Sequence, residues 1–331
     1  LARPTRGLTY WNLWTALEKR GKNTFTQDQI DKQLGERPTW KEAQGKIKVR
    51  GEHSSVFLWI PELAEEIGVR VRRARRLITL DWNYPDRRLR LVGFEVTSWG
   101  GPPRSVEGQT LAAEPLDRDT RGDWLAAMPP ANRGLVNALV LPRCLAITPP
   151  FGAEGPIAWQ AQVESGLRRL PGPMLVNLRP GAGEGEVPWP ALARAVLAAG
   201  HWPVINPPGD RPCPGGLDPR VGLHLNHARL TDVSDAQVGE WQARGHLVSA
   251  AVHDRASLDR AVDLAVDLVT LSPIRSTSTH PDATGIGWSA FATLAETASM
   301  PVYALGGVGP RDLWRVWRRG GFGVASISAF W

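Results

Sequence analysis

From residue 145 to the end of the chain, short apolar runs alternate with stretches whose apolar residues recur at helical spacing. Eight such runs can be counted, at residues 145–148, 175–178, 204–206, 222–225, 247–253, 268–272, 302–305 and 323–327. Their length, their Val, Leu and Ile content and the Gly and Pro around them predict strands. Amphipathic patterns over 159–170, 191–199, 235–243, 257–266, 288–298 and 310–318 predict the helices between them, whereas 207–221 is rich in Pro and Gly instead. Parallel strands need crossovers of a dozen or more residues, and each interval supplies one. Eight βα units of this kind close into a (β/α)8 TIM barrel whose ligand site lies at the C-terminal strand ends. An open doubly wound sheet is the alternative that the pattern leaves.

A barrel of this size leaves room for a second domain in a chain of 331 residues. The Pro129-Pro130 pair and a predicted closing helix over 132–141 put the boundary near Pro142, dividing the chain into 1–142 and 143–331. The first part has no βα repeat. Residues 76–81 and 89–96, with turns at Tyr84-Pro85-Asp86 and Gly100-Gly101-Pro102-Pro103, predict antiparallel strands and an α+β domain. All six lysines fall before residue 50, so residues 1–60 stand apart in composition.

Two cysteines allow neither a disulfide framework nor a thiolate zinc cluster, which favours a reducing cytoplasm. No apolar stretch is long enough for a bilayer, and Leu1-Ala2-Arg3-Pro4-Thr5-Arg6 lacks the apolar core of a secretion signal, so neither membrane nor export is expected. A net charge of +6 suits phosphorylated partners. The arginines Arg70, Arg72, Arg73, Arg75 and Arg76 are the one candidate nucleic-acid surface, and a solvated edge strand is the reading preferred for them.

Glu62, Glu65 and Glu66 lie three and four residues apart and therefore share one helix face. Such a face is more often simply solvated, but a divalent cation would offset the repulsion. The segment Glu62-Leu63-Ala64-Glu65-Glu66-Ile67-Gly68-Val69 resembles the second half of the Nudix box. Glu107 resembles that family's distant metal carboxylate, and Arg87 and Asn132 resemble its base-contacting residues. The resemblance implies a Nudix-like α+β domain with Mg2+ or Mn2+ held by Glu62, Glu65, Glu66 and Glu107. It also implies attack of water on a nucleoside triphosphate, 8-oxo-dGTP being a candidate, with Glu62 as base and Glu65 and Glu66 beside it. Pro61 stands where the family has Arg, and Trp40, Gly45-Lys46 and Gly51-Glu52 only echo the first half of the box at displaced spacing.

In the barrel, Gly306-Gly307 ends the seventh strand, where backbone amides can approach a phosphate. Together with Ser272-Pro273-Ile274-Arg275-Ser276-Thr277-Ser278-Thr279-His280, Gly285-Ile286-Gly287-Trp288, His224-Leu225 and Val252-His253, this region resembles the thiamine phosphate synthases. Enzymes of that family join a pyrimidine pyrophosphate to a thiazole phosphate with Mg2+, and the resemblance implies a phosphate held by Thr277, Thr279, Gly306, Gly307 and Ser326. The family's catalytic motifs are altered here: Asn177-Leu178-Arg179-Pro180-Gly181 replaces a Lys-containing segment, Asn206-Pro207-Pro208 and Arg229 stand where it has aspartates, and His280 where it has Lys. His224, His253 and His280 share one rim and read more readily as hydrogen-bonded structural histidines than as metal ligands.

The leading expectation is thus a Nudix-type pyrophosphohydrolase fused to a barrel that binds a phosphorylated small molecule. Retained thiamine phosphate synthesis is the first alternative, and a non-catalytic nucleotide or nucleic-acid binding module is the second.

Overall fold

The computed structural model describes residues 68–83, 88–106, 116–150, 154–181, 186–208, 214–276 and 284–331. The chain divides into two compact units, Leu1–Leu139 and Val140–Trp331.

In the first unit, β1 (Arg70–Asn83) and β2 (Arg88–Gly100) form an antiparallel pair with Arg70 opposite Gly100 and Asn83 opposite Arg88. Both strands are longer than their apolar patterning suggests. Arg72 and Arg73 are exposed in succession and Leu77 and Ile78 buried in succession, which a strict two-residue period forbids. Irregularities between Val71 and Ala74 and between Arg76 and Ile78 absorb these breaks and return the apolar side chains to one face. Arg70, Arg72, Arg73 and Arg76 are solvent-exposed on this ribbon.

Helix α1 (Arg121–Ala127) is followed by a 3-10 turn, Pro130–Asn132, and by α2 (Arg133–Val140). The Arg121 side chain is buried and its Nε donates to Asn137 Oδ1 at 2.7 Å, tying α1 to α2. Leu135 of α2 packs against β2 at Gly93, where a Cβ would stand 2.6 Å from its Cδ1.

The second unit is a closed barrel of eight parallel strands: β3 (Cys144–Ile147), β4 (Leu175–Leu178), β5 (Trp202–Ile205), β6 (Gly222–Leu225), β7 (Val248–Val252), β8 (Leu268–Leu271), β9 (Val302–Leu305) and β10 (Gly323–Ser326). Pairing of β10 with β3, Ala325 opposite Leu145, closes the ring and excludes the open sheet. The crossovers carry α3 (Gly155–Leu167), α4 (Trp189–Ala198), α5 (His227–Asp232), α6 (Asp235–Ala243), α7 (Arg255–Asp263), α8 (Gly287–Ala295) and α9 (Leu313–Arg318). Between β5 and β6 the described residues contain no helix.

Alternation along each strand sorts the side chains. Val176, Leu178, Leu223, Val248, Ala250, Val269, Leu271, Val302 and Ala304 face the helices and build the apolar shell with Trp159, Leu192, Leu258 and Phe291. Their neighbours Asn177, His224, Ser249, Thr270 and Tyr303 face the barrel interior. Near its N-terminal end, the buried Tyr303 hydroxyl donates to the Pro142 carbonyl at 2.5 Å, and the Arg143 guanidinium lies 3.8 Å from the Phe322 ring centroid.

Candidate anion site at the C-terminal rim of the barrel

Gly306 and Gly307 follow β9 with φ of +95° and +65°, consecutive left-handed positions that L side chains rarely adopt. A Cβ on Gly306 would stand 2.8 Å from Pro273 Cα, so the turn also needs glycine for close approach. Ile274 and Arg275 donate their backbone N–H groups to the Leu305 and Gly306 carbonyls at 2.9 and 3.1 Å. The Gly307 carbonyl accepts from Arg275 Nη1 at 2.7 Å. Three successive carbonyls of the turn are thus drawn toward segment 274–275.

Further contacts brace the turn. Ile286 and Gly287 donate to the Pro273 and Ile274 carbonyls at 2.9 and 3.0 Å, bringing the Gly285-Ile286-Gly287 segment to the same place. Arg275 Nη2 pairs with Asp312 Oδ1 at 2.8 Å, and Asp312 Oδ2 accepts from Gly309 N at 3.1 Å. The Arg275 guanidinium also lies 5.6 Å from the Trp288 ring centroid.

Of the predicted phosphate residues, Gly306 and Gly307 thus share one braced turn, and Thr277 and Thr279 lie outside the described residues. Leu305 stands opposite Ala325, which sets Gly306 level with Ser326 on the neighbouring strand. Ser326 is buried, and its Oγ accepts from Ala329 N at 3.4 Å, so what the strand end offers a ligand is backbone more than hydroxyl.

Inside the mouth lies a layer of polar side chains that the strand patterns could have signalled. In Leu-Val-Asn-Leu, Gly-Leu-His-Leu, Val-Ser-Ala and Leu-Val-Thr-Leu, one polar residue interrupts an apolar run on the inward parity. His224 is 4% exposed, and its Nδ1 lies 2.8 Å from Ser249 Oγ, which itself donates to the Leu223 carbonyl at 3.2 Å. The serine proton is thereby committed, so Nδ1 carries the histidine proton and Nε2 presents a lone pair. Burial, reinforced by the positive charges of Arg179 and Arg229, lowers the His224 pKa to about 3 and keeps the ring neutral.

Asn177, 2% exposed, has a buried Oδ1 without a hydrogen-bond partner. Arg179 leaves the end of β4 with its N–H donating to Thr148 Oγ1 at 2.8 Å, and Thr148 Oγ1 donates to the Arg179 carbonyl at 3.3 Å. Arg229 lies in the first turn of α5, where its N–H donates to Asn226 Oδ1 at 2.9 Å. The second rim histidine, His253, has Nδ1 2.9 Å from the Ser272 carbonyl. His280 lies outside the described residues.

The synthase family implies magnesium. Among the described residues no group of three or more His, Cys, Asp and Glu could hold a metal ion. Among the described residues, the inward-facing polar groups Asn177, His224 and Ser249 are neutral, and the charges acting on His224 are the guanidiniums of Arg179 and Arg229. These residues do not fit a divalent cation, which prefers anionic oxygen ligands.

Of the predicted hydrolase residues, Glu62, Glu65, Glu66, Glu107 and Arg87 lie outside the described residues. Asn132 is buried in the 3-10 turn, its Nδ2 3.6 Å from Met128 Sδ and its Oδ1 without a hydrogen-bond partner. No helix among the described residues is long and apolar enough to cross a membrane.

Comparison with known proteins agrees with this architecture. The family model "Thiamine monophosphate synthase" matches residues 220–330, which run from β6 through β10. The thiamine-phosphate synthase of Methanoculleus marisnigri is 32% identical over 143 residues, 42% of this chain and 64% of that protein. That of Laribacter hongkongensis is 33% identical over 110 residues, 33% of this chain and 52% of that protein. The chain thus spans less than two thirds of either synthase. The 8-oxo-dGTP diphosphatase of Buchnera aphidicola is 30% identical over 101 residues, 30% of this chain and 76% of that protein. The C-terminal unit is a thiamine phosphate synthase-like TIM barrel, the fold of an enzyme family. Over its 101-residue match the chain belongs to the 8-oxo-dGTP diphosphatase family.

Proposed function

We propose that the barrel is the principal active centre and that it takes phosphorylated substrates of thiamine phosphate synthesis, joining a pyrimidine pyrophosphate to a thiazole phosphate. This reverses the order expected from the sequence, which placed the hydrolase first, because the barrel draws support from the family model and from both synthase relatives. The observation that carries the reading is the braced Gly306-Gly307 turn after β9, at the rim where barrels of this class place phosphate. In the reaction the thiazole nitrogen forms a bond to the pyrimidine methylene carbon as the bond from that carbon to pyrophosphate oxygen breaks. Guanidinium groups at the mouth would stabilise the departing negative charge.

Incubation of the full chain with the two precursors is expected to give thiamine phosphate and pyrophosphate. Arg179→Ala is expected to lower the rate by about tenfold or more, in the range that loss of a charged donor to a developing anion produces. Absence of product, together with absence of binding of either precursor, would overturn the proposal.

A second reading rests on the match to three quarters of an 8-oxo-dGTP diphosphatase. In it Glu62, Glu65, Glu66 and Glu107 hold Mg2+ or Mn2+ and a nucleoside triphosphate is cleaved to release pyrophosphate. Metal-dependent pyrophosphate release from 8-oxo-dGTP should then fall about a hundredfold or more in Glu65→Gln and Glu66→Gln, as expected when metal-assisted activation of water is lost. Unchanged turnover in both variants would remove this assignment.

A further inference from the structure

We propose that the barrel mouth binds the diphosphate group of its ligand with guanidinium charge in place of a divalent cation, so that binding requires no metal. The inference rests on the synthase-type reading above and assigns the charge chemistry of that same site.

Three observations converge on it. Arg179 begins directly after β4, and Arg229 lies four residues beyond the end of β6, with only β5 between those strands. Thr148 holds the Arg179 backbone and Asn226 the Arg229 backbone, so both guanidiniums spring from anchored positions at one rim. Their effect is felt within the barrel, where both oppose protonation of the buried His224. A cluster of positive charge that resists a further proton also resists Mg2+, and it attracts a polyanion.

The available acceptors agree. Asn177 Oδ1 and His224 Nε2 are neutral, and the first is buried and without a hydrogen-bond partner. They suit N–H donors on an uncharged heteroaromatic portion of the ligand better than they suit a hard cation. Asp254, a carboxylate just beyond β7, is committed locally, accepting from Ser257 N at 2.8 Å and from Ser257 Oγ at 2.6 Å. Arginine can bind phosphate oxygens through two parallel N–H groups and stays charged at every physiological pH, so it supplies compensating charge without a coordination sphere.

The test is calorimetric titration of inorganic pyrophosphate into the full chain, once in excess EDTA and once with Mg2+. The dissociation constants are expected to agree within about threefold. Arg179→Gln and Arg229→Gln are each expected to weaken binding about tenfold in EDTA, a loss of the order measured for charge-assisted hydrogen bonds. Wild-type binding seen only with Mg2+ would overturn the metal-free site while leaving the synthase-type reading intact. EDTA-resistant binding that survives both substitutions would likewise overturn it, by placing pyrophosphate elsewhere. Absence of pyrophosphate binding in both conditions would remove this inference, and precursor binding would then decide separately whether the synthase-type reading stands. Melting curves identify a variant that has failed to fold, and in that case the wild-type pair of titrations decides alone.

Discussion

Gly306→Ala is expected to destabilise the protein by about 2–4 kcal/mol and, on the proposed function, to abolish phosphate binding at the rim, because two separate costs fall on one atom. The first is conformational: at φ +95° a Cβ is strained whatever space surrounds it. The second is steric, since the nearest atom to that Cβ is Pro273 Cα at 2.8 Å, a backbone atom that cannot swing aside. The turn would therefore have to separate from segment 273–275, breaking the bonds from Ile274 to Leu305 and from Arg275 to Gly306. Gly200→Ala provides the control, having a similar φ of +80° but nothing within 4 Å of the added atom. Denaturant unfolding of the two variants separates strain from collision. Equal losses would show that close approach to Pro273 contributes nothing.

Acid should destabilise the protein in a window set by His224. Its folded pKa of about 3 lies far below the ordinary value of 6.5, first because of burial and then because of Arg179 and Arg229. Between those two values the unfolded chain binds a proton that the folded barrel refuses, so stability is complete above pH 6.5 and is lost as the pH falls toward 3. At pH 5 the loss from this one group is about 2 kcal/mol, counting only protonation of the unfolded histidine. His201, also lowered by burial, adds a loss of the same sign. Asp117 and Asp254, whose pKa values lie below the carboxylate norm of 3.8, contribute stability that disappears only at lower pH, outside the upper part of this window. Unfolding free energies at pH 7.5 and 5 are expected to differ less in His224→Gln than in the wild type. An identical pH dependence in the two proteins would show that His224 is not held neutral.

The barrel is the part most legible along the chain. Residues 175–178, 222–225 and 302–305 coincide with observed strands because each is an apolar run cut off by Gly, Pro or polar residues, and a buried parallel strand needs little more. Helix α5 escaped notice because its six residues are too few to show a helical period; its signal is the cap, Asn226 accepting from Arg229 N. In the first unit, β1 and β2 outrun their patterning because bulges near Arg73 and Leu77 shift the alternation that a reader of sequence counts on.

Gly306-Gly307 could be recognised as a tight turn from two adjacent letters, since backbone freedom belongs to the residue itself. The braces around that turn could not, because Pro273, Arg275 and Ile286 approach it from the preceding βα unit, where Arg275 meets Asp312 of the turn's own unit. Closure of the sheet is likewise a tertiary fact: it depends on β10 pairing with β3, strands separated by most of the unit, and no local pattern distinguishes that pairing from an open edge. Local periodicity and residue chemistry therefore determined the strands, most of the helices and the glycine turn. The action of Arg179 and Arg229 on a buried, neutral His224 was decided by the barrel, because charge and burial act through space between groups that lie far apart along the chain.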